Sequence, residues 1–174
     1  MSVLNKNITF EGLTYTLDDR DRVAAELTHQ SGHGATPFAN HIQRETGDEA
    51  FTIAATSSLV SLAGNVTSSR IVTMPAAKAG KWIRVIWEVE QAGNDRVFTR
   101  AGSDTFAGNI YTSVAGNAAG DGDVVAIANT TAAITVVDDT NIGSHLDFHC
   151  AVDGLWLVTG HLVVDAVGNV PTLA

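Results

Sequence analysis

The sequence predicts an all-β fold: an antiparallel β-sandwich over residues 51–174, preceded by an N-terminal arm over residues 1–50. Three observations predict it. Residues 51–174 are rich in Val and Thr, whose branched Cβ favours extended backbone. Within that zone apolar and polar residues alternate over short runs. Those runs are separated by Gly-, Asn- and Asp-rich turns at the short spacing of a sandwich or barrel.

The arm differs from the rest. It carries twelve of the 29 charged residues, which leaves the sandwich zone comparatively uncharged. LDDRDRVAAEL (17–27) predicts one short helix, with its acidic residues in the first turn where the helix dipole favours them. THQSGHGATPFAN (28–40) has little periodicity and reads as irregular chain.

The strands follow in order. FTIAA (51–55) and SLVSL (58–62) flank a polar step, and RIVTMP (70–75) stops at a proline that cannot donate to a ladder. PAAKAG (75–80) is then a loop. KWIRVIWEVE (81–90) is the strongest alternating run. Ile83, Val85, Trp87 and Val89 should face the core, and Trp82, Arg84, Ile86, Glu88 and Glu90 the other way. RVFTR (96–100), FAGNIYTSV (106–114), DVVAIA (123–128) and AITVVD (133–138) continue the series. Ala-Gly-Asn recurs at 63–65, 92–94, 107–109 and 115–117 at irregular intervals, as turn punctuation without phosphate-loop spacing. HLDFHCAV (145–152) and LWLVTGHLVV (155–164) close the series as a hairpin about Asp153-Gly154. A two-residue turn there sets Val152 against Leu155, Cys150 against Leu157, Phe148 against Thr159 and Leu146 against His161. Leu155 and Leu157 then belong to the core, with Trp156 and His161 on opposite faces.

Charge narrows the function. The net is −9, and all ten bases lie at or before Arg100, six of them from Arg70 to Arg100. The last 74 residues hold eight Asp and no base. Nucleic-acid binding needs a basic stripe to displace counterions, so it is not expected. The basic segment is expected to pair with the Asp-rich half of the same chain, the alternative being that it docks an acidic surface. No run approaches the roughly 18 apolar residues of a membrane helix, and MSVLNKNITFEG does not predict a cleaved export signal. The single cysteine, Cys150, sits in an alternating apolar run and reads as a buried structural thiol.

Three groups invite a catalytic or metal reading. His29, His33 and His41 lack the HExxH pattern, and Gly32 and Gly34 weaken any helix that would align them. His145, His149 and His161 do not converge in the hairpin as registered above, because His161 points to the opposite face. Asp121, Asp123, Asp138 and Asp139 lie in turns without the spacing of a calcium loop. No GxSxG elbow or SxxK motif is present. No catalytic residue, cofactor or metal is therefore expected. Trp82, on the polar side of its strand, is expected to be more exposed than Trp87. Trp82, Arg84, Trp156 and His149 are the candidate interface residues.

VTMPAAKAGKWIRVIWEV (72–89) and GSHLDFHCAVDGLWLVTGHL (143–162) together carry a resemblance. A strand ends in proline, a small Ala/Gly loop leads into a strong alternating strand, and a later hairpin reads DG-x-W-x-V-x-G. Over roughly residues 51–165 the chain resembles jelly-roll-like β-sandwich proteins of tailed bacteriophages, especially head decoration or cement proteins and related fibre domains. The resemblance implies a homotrimer bound to the major capsid protein on the outside of the virion head, made in the host cytoplasm, with no chemistry of its own. The alternative is a receptor- or carbohydrate-binding tip domain of a tail fibre.

Overall fold

The computed structural model describes residues 7–10, 13–16, 42–116 and 122–174. The expected helix at 17–27 and His29, His33, His41 and Asp121 lie outside the described residues. The chain divides into two units, 1–41 and 42–174. Within the first, β1 (Asn7–Phe10) and β2 (Leu13–Thr16) pair as an antiparallel hairpin.

The second unit is all-β. Its strands are β3 (Ile42–Glu45), β4 (Phe51–Thr52), β5 (Leu59–Leu62), β6 (Arg70–Thr73), β7 (Trp82–Trp87) and β8 (Arg96–Thr99). β9 (Thr105–Val114), β10 (Val124–Thr131), β11 (Ala133–Val136), β12 (His145–Val152), β13 (Leu155–Val164) and β14 (Thr172–Leu173) follow. They form two sheets, one ordered β10-β9-β13-β12-β7-β5-β3 and the other β14-β11-β8-β6-β4. The larger sheet begins with β3, so the sandwich starts at Ile42, inside the segment expected to be arm.

Pairing is mixed rather than purely antiparallel. β13 runs parallel to β9, β5 lies parallel to both β3 and β7, and β6 lies parallel to both β4 and β8. Alternation along a strand specifies which face is buried and is silent about the direction of the neighbour. The β9–β13 contact depends on Gly108, which has φ 135°. A Cβ there would lie 2.0 Å from the carbonyl oxygen of Val158.

The sheets pack face to face through aromatic rings. Phe98 of β8 meets Phe148 of β12 at 5.6 Å and Trp87 of β7 at 6.3 Å. Phe106 and Trp156 close on Phe148 from β9 and β13 at 6.1 and 6.4 Å. Ile83, Val85 and Trp87 are buried as alternation requires, and Cys150 is buried beside them. Arg96 is also wholly buried. Its Nε donates to Gln91 Oε1 at 3.0 Å and one Nη to the Gly64 carbonyl at 2.6 Å. Desolvation lowers its pKa, opposed by the charges of Glu45 and Asp48.

The closing hairpin departs from its expected register. Val152 does oppose Leu155, but only Gly154 has positive φ, at 87°, whereas a type I′ turn needs it at both central residues. A turn with positive φ only at its second central residue does not match the twist of the strands, and a β-bulge follows in which Cys150 and Ala151 stand against the single residue Trp156. Beyond it His149 faces Leu157, Phe148 faces Val158 and His145 faces His161. The extra residue reverses the parity of β13. Trp156 and Val158 enter the core, and Leu157 turns outward at 40% exposure.

Candidate functional site on the outer face of the larger sheet

Correct registration places three rows of side chains on this face. The first runs Trp82–His149–Leu157–Ala107 across β7, β12, β13 and β9. The second runs Arg84–Asp147–Thr159–Asn109. The third runs Ile86–His145–His161–Tyr111. Because the strands alternate, all twelve positions share the side away from the core.

Three of the four sequence-derived candidates meet here. Trp82 is 38% exposed. The His149 ring stands edge-on to it at 6.1 Å, and the Arg84 guanidinium carbon lies 5.7 Å from its ring centre. Arg84 forms a fork with Asp147, with two bonds of 2.7 Å. Those bonds hold the Asp147 carboxyl below its ordinary pKa, against a smaller desolvation effect. Trp156 is the exception. It is fully buried within one chain, because the bulge turns it inward, and so offers no indole to a partner.

Beside Trp82 is a hollow of about 370 Å3, lined by Lys81, Trp82, His149, Cys150, Leu157 and Thr159. Lys81 donates to the Ala55 carbonyl at 2.6 Å, and burial lowers its pKa. Burial is also the main cause that raises the pKa of the Cys150 thiol. Next to the hollow, Asp153 stands in the turn that joins β12 to β13. Its carboxylate accepts from the Ala79 backbone N–H at 2.8 Å and from Lys78 at 2.9 Å, tying the 75–80 loop to the hairpin turn.

The bases from Arg70 to Arg100 are all engaged within the chain. Arg70 binds Asp48, Lys78 binds Asp153 and Arg84 binds Asp147. Lys81, Arg96 and Arg100 donate to backbone carbonyls. At the far edge Arg44 reaches Glu88, which also accepts from Ser61.

Sequence reasoning missed the third row, because the assumed register sent His161 inward. Tyr111, 54% exposed, was likewise not singled out from FAGNIYTSV. Among the described residues no three of His, Cys, Asp or Glu converge to enclose a metal, and no helix is long and apolar enough to cross a membrane. Comparison of the chain with known protein families, with curated proteins and with solved structures finds no match.

Proposed function

We propose that this chain is a structural subunit of a tailed-phage particle. In this reading it is a decoration or cement protein that binds the major capsid protein on the outer surface of the head as a homotrimer. The observation that carries it is the exposed Trp82–His149–Leu157 row with Tyr111 on the same face. Exposed aromatic and aliphatic side chains on a rigid sheet are what a protein partner anchors on. The intramolecular use of the central bases supports a partner met through packing and hydrogen bonds rather than through phosphate. Trimeric attachment would multiply modest single-site affinities. The segments 72–89 and 143–162, which resemble phage decoration proteins, support the same reading.

Purified protein mixed with undecorated phage shells is expected to co-sediment with them, and Trp82→Ala to weaken that binding while the chain stays folded. Absence of co-sedimentation at every salt concentration would overturn the proposal. A second reading, a glycan-binding tip domain of a tail fibre, is favoured by one observation. The Trp82 indole is flanked by the polar groups of Arg84, Asp147 and His149, the combination that recognises a sugar's apolar face and hydroxyls. Binding on a glycan array, lost in Trp82→Ala, would select it.

A further inference from the structure

We propose that His145 and His161 form a two-imidazole site for a borderline divalent cation of the zinc, nickel or copper group. The two residues stand directly opposite each other on antiparallel β12 and β13, both half-buried on the outer face. Side chains so placed have Cβ atoms about 4.5–5.5 Å apart. Both rings can then turn onto one ion, with metal–nitrogen bonds of about 2.0–2.1 Å. Imidazole is the ligand these metals share.

One ring is already held. His161 Nε2 lies 2.8 Å from Ser113 Oγ, on the neighbouring strand β9. The tautomer that donates Nε2–H to that hydroxyl leaves the Nδ1 lone pair free, and such a bond orients a metal-binding imidazole. The pair is flanked in its row by the uncharged Ile86 and Tyr111, and the guanidinium in the next row, Arg84, is held by Asp147. Water completes the coordination, making this an open surface site that spans the closing hairpin. His149 lies four residues from His145 along β12, about 13 Å away, and takes no part.

The test uses the untagged full-length chain with His29, His33, His41 and His149 all replaced by Gln, so that His145 and His161 are its only imidazoles. Titration with Zn2+ or Ni2+ by calorimetry is expected to show one saturable equivalent. A further His145→Gln or His161→Gln is expected to weaken it at least about tenfold. Circular dichroism checks that each variant remains folded. Without relying on those variants, Ni2+ added to the two-histidine chain is expected to broaden the NMR signals of Tyr111 and Ile86 and to spare Trp82. No saturable binding by that chain, equal binding after either histidine is replaced, or broadening centred on Trp82 would each overturn the site.

Discussion

Trp82 and Trp156 lie on opposite faces of one sheet, and they should respond to truncation very differently. Trp156→Ala empties a space among Phe148 and its neighbours and is expected to cost about 3–5 kcal/mol. Trp82→Ala removes a partly exposed ring and is expected to cost less than about 1 kcal/mol. Urea denaturation of the two variants measures both, and equal losses would contradict the assignment of faces. The Arg84–Asp147 fork makes a pH prediction. Asp147 has a lowered folded pKa, so its stabilisation is fully present above the unfolded value of about 3.9 and is lost as pH falls through the folded one. Because the guanidinium is 44% exposed and screened, Asp147→Asn should cost only about 0.2–1 kcal/mol at pH 7. That difference should vanish in strongly acidic buffer, as denaturation across a pH series would show. Trp82, Arg84 and His149 were legible as outward residues from alternation alone. Trp156 was not, since one bulged residue upstream decides its face.

Elements were more legible than their partners. Each run expected as a strand from residue 51 to 164 contains one, from Phe51–Thr52 to Leu155–Val164, because β-branched alternation bounded by turn residues is a local property. β3 escaped notice because IQRE is charged and sits at a sheet edge, where polar side chains are the rule. The parallel neighbours had no local signature either. Their dependence on backbone approach makes Gly108→Ala a severe change. It meets both a backbone carbonyl and an unfavourable φ, and is expected to lower the melting temperature by more than Trp82→Ala does. The hairpin turn is tied less rigidly. Asp153→Ala should speed hydrogen exchange at the Ala79 amide, which loses its acceptor, and leave Phe148 in the core protected.

At the scale of the larger unit, every core residue found among the described residues, the aromatic cluster included, lies within 42–174. A chain beginning at Ile42 is therefore expected to fold and to melt cooperatively, as calorimetry would report. The net charge of −9 was legible in the sequence, and three bases of the Arg70–Arg100 stretch form ion pairs with carboxylates of the same chain. The placement of β13 between β9 and β12 has a consequence for the order of assembly. β9 and β12 must each wait for a strand made after both of them. During synthesis, until residues 155–164 emerge, each has an unpaired border and the aromatic cluster lacks Trp156. The joining of β9 to β13 also closes a long stretch of chain, which makes it an entropically slow, late event. Growing chains would then be most prone to associate in the interval just before that strand arrives.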